Sequence, residues 1–479
     1  MFIGRELELK DLEGFWGRDH GVLVTCRGRR RIGKSTLIAE FASRTARIYF
    51  SFVGLAPRKG MTDARQRRHF CEKIAEYAER AYEPADTWSK AFKQLDVLIG
   101  NRGRTVVMLD EISWMGGYDP DFAGYFKEAW DEYLQRHENL IVVLCGSVSV
   151  WIADNILNAT GFVGRDSFDI DLGELSLADS VRLFGPSSNR LSTTEKLDIL
   201  SLTGGVPKYL EEVRPELSVD ENFRRLCFLP RSLLLREFDE TFNEVFGARV
   251  LTRGKILRML VDGSWSVSEL AAAEGKDPNG SYSKALKDLQ YAGFVSEDAG
   301  ISPLTAKPLK ETRYRIKDNY SRFYLKNIEP RVSAIRSGSF LYASLEQLNG
   351  WDSILGLQFQ NLILNHVSDL YPFFGLEHSL VLSAAPYVQN ATKRNRGCQI
   401  DLLIQTERML LVVKIKRQRE IGHGIIDEVD EKVKRLKYDS RKSVRTALVY
   451  DGRLVASVPA DRYFDFLLPA EKLLGNCQI

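Results

Sequence analysis

Apolar residues recur along the chain in two rhythms. GVLVTC (21–26), RTVVMLD (104–110) and NLIVVLCGS (139–147) are short, nearly continuous apolar runs, the pattern of strands buried on both faces. Between them WSKAFKQLDVLI and FAGYFKEAWDEYLQRH repeat apolar positions every third or fourth residue, which predicts helices. Alternation of the two predicts an α/β fold, a parallel sheet with helices on both faces. From LADSVRLFG (177–185) to about Phe246 the spacing is helical throughout and reads as a lid. GKILRML (254–260) then opens a run of three helices, the third from Ser281 to about Ala292. On that helix Ala285, Leu286 and Leu289 share one face, leaving Lys284, Lys287 and Asp288 toward solvent. Two strands with a connecting wing follow, and from about Gly350 a helix leads into a strand pair within QIDLLIQTERMLLVVKIKRQ.

Composition narrows the class. A chain of 479 residues is too long for one hydrophobic core and suggests roughly three domains. With 44% apolar and 27% charged residues it reads as folded, not disordered. A net charge of +3 is too slight to imply nucleic acid, so any basic surface is local. Cys26, Cys71, Cys145, Cys227, Cys398 and Cys477 lack zinc-site spacing and are expected as reduced thiols in a cytoplasmic protein. MFIGRELELK has no basic leader, and the longest apolar run is too short to cross a bilayer, so no membrane partner is expected.

The strand GVLVTC runs into G-x-x-x-x-G-K-S, with Gly28, Ile32, Gly33, Lys34, Ser35 and Thr36 as candidate nucleotide-binding residues. Glycines let successive N–H groups turn toward an anion, and the following helix points its positive end at the same place. Lys34 is expected to bridge the β and γ phosphates of ATP, and Ser35 to place a hydroxyl on Mg²⁺. Downstream, RTVVMLDEISWM supplies a strand ending in carboxylates. Asp110 is expected near Mg²⁺, and Glu111 as the group that orients or deprotonates the attacking water. The third strand ends in Ser147, a polar side chain placed to sense the γ-phosphate.

In order, FIGRELE (2–8), GRRRIGKS, LDEISWM, LCGSVS, FVGRDSFDIDLGELSL and GGVPKYL (204–210) resemble the archaeal-type ATPase family within the STAND branch of AAA+-like P-loop ATPases. The likeness spans about the first 330 residues. It implies that Arg5 lies by the adenine, that Pro207 starts a lid helix, and that Arg165 is a γ-phosphate contact. A helix start for Pro207 and a surface ion pair for Arg165 are the alternatives. Residues 247–330 resemble a winged helix, whose Lys284 and Lys287, with Lys307, Lys310, Arg313 and Arg315 on the wing, are placed for DNA phosphate or, alternatively, for interdomain packing.

The last third resembles a PD-(D/E)XK nuclease core, of restriction-endonuclease type, with parts exchanged. Asp401 fills the first carboxylate position, but Lys414 stands where a second is needed, Lys416 keeps the pattern lysine, and Gln360 replaces a helical glutamate. A cation at a metal ligand's place repels a divalent ion by several kcal/mol at ~4 Å and an effective dielectric of ~20. Metal-dependent cleavage is therefore disfavoured. Lys393, Arg394, Arg396, Lys414, Lys416, Arg417 and Arg419 would instead attract a nucleic-acid backbone. The expected segments are a P-loop core over 1–180, a lid over 181–246, a winged helix over 247–330 and an inactive nuclease-like domain over 331–479. The expected function is an ATP-hydrolysing switch that holds DNA. A signalling ATPase that forms a homo-oligomer with ATP and binds protein, or an active nuclease, are the alternatives.

Overall fold

The computed structural model describes residues 2–147, 149–159, 168–342, 344, 345, 348, 350–391 and 396–475. The chain divides into two compact units, Met1–Glu174 and Leu175–Ile479.

The first unit is built on five parallel strands: β1 (Val22–Arg27), β2 (Ile48–Val53), β3 (Thr105–Asp110), β4 (Leu140–Gly146) and β5 (Phe168–Asp171). Their order across the sheet is β2-β3-β4-β1-β5. The three expected strands are present, and β3 and β4 are buried at every position. Both expected helices form, as Trp88–Ile99 and Phe122–Glu132. The first starts at Thr87, whose hydroxyl accepts from the Lys90 N–H, and buries Trp88, Ala91, Phe92, Leu95, Leu98 and Ile99. That stripe meets Phe70, Phe122 and Phe126 in an aromatic core, with Trp88 and Phe122 edge to face at 4.7 Å between centroids. Removing such side chains from water stabilises the layer by roughly 1.5–3 kcal/mol each.

The second unit opens with helices, among them Leu177–Arg182, Thr193–Thr203, Leu233–Phe246 and Val250–Met259. Helices Val267–Ala273 and Gly280–Tyr291 follow. Three short antiparallel strands then order as β6-β8-β7, from β6 (Trp265–Ser266), β7 (Val295–Asp298) and β8 (Arg313–Ile316). Asp288 does not face solvent as expected. It is buried and held by Arg253 at 2.6 Å and Arg249 at 3.2 Å, because a carboxylate stays ionised inside only with cations at hand.

The helix Trp351–Asn365 leads to a mixed sheet ordered β13-β12-β11-β10-β9, from β9 (Ser383–Gln389), β10 (Cys398–Gln405), β11 (Met409–Ile421), β12 (Ser443–Leu454) and β13 (Phe466–Pro469). β9, β10 and β11 form an antiparallel meander. The helix Gly424–Arg435 then carries the chain across to β12, parallel to β11, as such a crossover requires.

The segments expected beyond residue 180 are local groupings within one unit, tied together by buried polar side chains. Gln358 donates to the carbonyls of Ser201 at 3.0 Å and Asn319 at 2.8 Å. Arg315, expected on an open wing, is half-buried against Asp298 at 3.1 Å and Asn361 at 2.6 Å. Arg417, expected to face nucleic acid, pairs with Asp198 at 2.7 Å and lies 3.6 Å from Asp451. Thr194, on the same helix as Asp198, donates to Asp451 at 3.1 Å. The described cysteines Cys26, Cys71, Cys145, Cys227 and Cys398 are buried and unbridged. Among the described residues no helix is long and apolar enough to cross a membrane.

Burial pushes the Asp198 carboxyl up to about 7, with Arg417 opposing and Asp451 assisting. A group raised in the folded state adds stability below its ordinary value near 4 that is lost as the pH climbs through about 7. Wild-type protein is therefore expected to lose thermal stability between pH 5 and pH 8 through this group, and Asp198→Asn to flatten that slope. Melting curves across the range check it, and an unchanged slope in the variant refutes the assignment.

Candidate functional site

A loop of six residues, 28–33, joins β1 to the helix Lys34–Thr45. Gly28 has φ 145°, and a Cβ there would lie 2.5 Å from the Leu172 carbonyl oxygen, so a side chain is excluded by backbone. Gly33 turns left-handed at φ 92° and caps the helix, whose first amides are left for an anion. Ile32 is buried and anchors the loop, whereas Ser35 and Thr36 are exposed. Lys34 is only 7% exposed; its ammonium donates to the carbonyls of Gly28 at 2.9 Å and Arg29 at 3.0 Å. The lysine thus arches back over the loop and holds it in shape.

The sheet order brings the other groups to this loop. β4 lies between β1 and β3, with Cys26 opposite Cys145 and Leu109 opposite Leu144, so the carboxyl ends of three strands converge. Ser35 donates to Asp110 at 2.6 Å, and the other Asp110 oxygen accepts from the Glu111 N–H at 3.0 Å. Glu111 sits left-handed at φ 48°. Its backbone is crowded by the end of β2, where a Cβ on Gly54 would come within 2.7 Å of the Glu111 carbonyl oxygen. The Glu111 carboxylate accepts from Ser147 through Oγ at 2.9 and 3.1 Å and through N–H at 3.2 Å. Burial pushes this carboxyl up, against the pull of the Ser147 N–H, the Lys34 charge and the Ser147 hydroxyl.

Lys34, Ser35, Asp110, Glu111 and Ser147, separated by up to 113 positions in sequence, are therefore joined by direct bonds or charge at the carboxyl ends of the strands of the first unit. The Arg5 guanidinium donates to the Gly173 carbonyl at 2.6 Å, one residue from the Leu172 oxygen that abuts Gly28. The amino-terminal segment is thereby tied to the strand end flanking the loop. Arg165 lies outside the described residues. Pro207 opens the helix Pro207–Leu210 in the second unit, where its missing N–H costs nothing.

In the second unit the basic residues have different fates. Lys284 and Lys287 are exposed on the helix Gly280–Tyr291, with Lys307 and Lys310 exposed between β7 and β8. Arg313 is half-buried and pairs with Glu269 at 2.9 Å. Lys414 pairs with Asp401 at 3.0 Å and Glu428 at 2.8 Å, and Lys432 reaches Glu428 at 2.9 Å. Burial alone would lower the Lys414 ammonium, but Asp401 and Glu428 outweigh it and the group is raised. Glu428 is held down at about 2 by the two lysines despite burial. The cluster is charge-balanced, not a free cationic surface. Lys416 is half-exposed, and Lys393 and Arg394 lie outside the described residues.

Glu428, Lys432, Asp198 and Asp451 escaped the sequence reading. The only local hint was the i,i+4 spacing of Glu428 and Lys432, common on solvated helices.

Residues 2–213 match the family described as an ATPase domain predominantly from Archaea. The chain is an ATP-hydrolysing enzyme. An uncharacterized protein of Methanocaldococcus jannaschii, MJECL04, is 23% identical over 422 residues, 87% of each chain. Among solved structures, the Walker-type ATPase PABY2304 of Pyrococcus abyssi superposes with TM-score 0.46 at 17% identity, over 68% of this chain and 96% of that one. The ORC2 protein of Aeropyrum pernix, solved with ADPNP and ADP, gives 0.40 at 14% identity, over 70% and 95%.

Glu111→Gln is expected to keep nucleotide binding while lowering turnover by about 10²–10⁴-fold, the usual weight of a positioned base. Nucleotide titration alongside phosphate release checks it, and unchanged turnover assigns the base elsewhere.

Proposed function

We propose that the enzyme is a STAND-type switch in which ATP binding and hydrolysis in the first unit govern association with DNA through the second. The observation that carries this reading is the split among the basic residues. Lys284, Lys287, Lys307 and Lys310 stay in solvent on the group of three helices and three short strands, an element order that supports the winged-helix reading. Lys414, Arg315 and Arg417 are neutralised by carboxylates inside the unit.

In the first unit, Lys34 exchanges its two carbonyl acceptors for phosphate oxygens when nucleotide enters, and the helix amides behind Gly33 receive the same charge. The Ser35 hydroxyl and Asp110 carboxylate are two hard oxygens in contact, a donor set suited to Mg²⁺, which takes its remaining ligands from water and phosphate. Bound there, Mg²⁺ supplies electrostatic stabilisation of the phosphate charge. Glu111 orients the attacking water and receives its proton.

The order helix Trp351–Asn365, β9, β10, β11, helix Gly424–Arg435, β12 resembles the PD-(D/E)XK core. On that reading Asp401 fills the first carboxylate position, and the Lys414 ammonium, at the second, pairs with both Asp401 and Glu428. These residues do not fit a divalent ion, and the domain is proposed to be a scaffold that does not cut.

Retention of the full chain on duplex DNA at stepped salt, with and without ATP, tests the reading. Lys284→Glu with Lys287→Glu is expected to weaken retention and reduce the salt slope by about 2, one unit per phosphate contact. No retention even at low salt would favour the alternative of a protein-binding, oligomerising ATPase, to which the internal use of Arg315 and Arg417 lends weight. Mg²⁺-dependent plasmid nicking abolished by Asp401→Ala would overturn the closed-site proposal.

A further inference from the structure

The second unit holds a cavity of about 280 Å³, lined by β7 and β8, by the end of the helix Trp351–Asn365 with the turn after it, and by β9. One water needs only about 10–15 Å³ of such space, and small-molecule sites begin near ~300 Å³. Cavities that persist empty have apolar walls, and this wall is polar. Along β7, Ser296 and Asp298 line it, while Glu297 between them accepts from Gln290 of the helix Gly280–Tyr291 at 2.8 Å. Along β9, Tyr387 enters the apolar core, and Ala384 and Pro386 line the cavity.

Asp298 and Arg315 meet in the wall at 3.1 Å, their side chains 5% and 12% exposed. The guanidinium is held in place. Its Nη1 donates to Asn361 at 2.6 Å and Asn365 at 2.9 Å, and both of those amides donate to the Lys317 carbonyl, at 2.9 and 2.7 Å. Its Nη2 makes one long bond, 3.4 Å to the Leu364 carbonyl, which leaves a second hydrogen to give. On the carboxylate, Oδ1 accepts from Arg315 at 3.1 Å and Ser296 at 3.2 Å, whereas the buried Oδ2 accepts from no group. Ser368 and Tyr371 add two hydroxyls to the lining.

Burial pushes the Asp298 carboxyl up, with Arg315 opposing, so a positive group beside it favours the ionised form. A ligand of one charge would also meet the like-charged member of the pair close by. A ligand carrying both charges meets a partner for each. We propose that this cavity binds a small zwitterion, a free α-amino acid, with its ammonium on Asp298 and its carboxylate on Arg315 Nη2 and the hydroxyls of Ser368 and Tyr371. The proposal depends neither on the hydrolytic site nor on DNA.

The full-length chain is titrated calorimetrically with each common amino acid, with 1,4-diaminobutane as a cation lacking a carboxylate, and with succinate as an anion lacking an ammonium. At least one amino acid is expected to bind saturably and to raise Tm, and neither singly charged probe to do so. Tyr371→Phe removes one hydroxyl and none of the bonds of Arg315; it is expected to weaken that binding about fivefold to tenfold, the weight of one hydrogen bond. Ala384→Phe, which fills the cavity from β9, is expected to abolish binding while unfolding stays cooperative; should it fail to fold, Ser368→Ala, with the same expectation as Tyr371→Phe, takes its place. Absence of saturable binding by every amino acid overturns the proposal, as does affinity unchanged in Tyr371→Phe or surviving in folded Ala384→Phe. Binding of diaminobutane or succinate as tight as that of the amino acid overturns the zwitterion assignment.

Discussion

A parallel sheet delivers the carboxyl ends of all its strands to one edge, and that constraint shapes the first unit. Because β4 runs between β1 and β3, the loop of Lys34, the carboxylates of Asp110 and Glu111, and the donors of Ser147 arrive at a common point. Each of these groups would be costly to bury alone. Together they satisfy one another: ammonium on carbonyls, hydroxyl on carboxylate, hydroxyl and amide on carboxylate. The site is thus a closed set of hydrogen bonds that a triphosphate must reorganise, and the same bonds keep the side chains near the positions hydrolysis requires.

The second unit applies the rule of paired burial to a different end. Arg417, Lys414, Arg315 and Arg253 each lie against a carboxylate, and each joins segments distant in sequence. An isolated charge inside protein pays a large desolvation penalty, so these cations could be enclosed only where acids were brought to meet them. The consequence is a redistribution of surface charge. Lysines on the helix Gly280–Tyr291 and between β7 and β8 remain open, whereas two of the four cations of β11, Lys414 and Arg417, are paired with carboxylates.

Much of the first unit was legible beforehand because its signals are local. The apolar runs of β1, β3 and β4, the stripe of the helix Trp88–Ile99, and the glycines around Lys34 are each set by residues a few positions apart. The bond between Ser147 and Glu111 was not legible, since nothing at residue 147 marks which strand lies beside its own. Likewise Asp288 reads as solvent-facing from helical periodicity, and only Arg249 and Arg253, on another segment, explain its burial.

By itself the sequence determined that β1, β3 and β4 are strands, that Trp88–Ile99 and Phe122–Glu132 are helices, and that the glycine-punctuated motif after β1 forms a loop closed by a lysine. Those outcomes follow from backbone sterics and from the period at which apolar side chains recur. Tertiary structure alone decided the neighbours: the place of β4 in the sheet, the acid that each buried cation meets, and the gathering of residues 175–479 into one unit. The reason is physical. Periodicity fixes which face of an element is apolar, but strand order and the pairing of buried charges depend on contacts between residues hundreds of positions apart, as between Asp198 and Arg417.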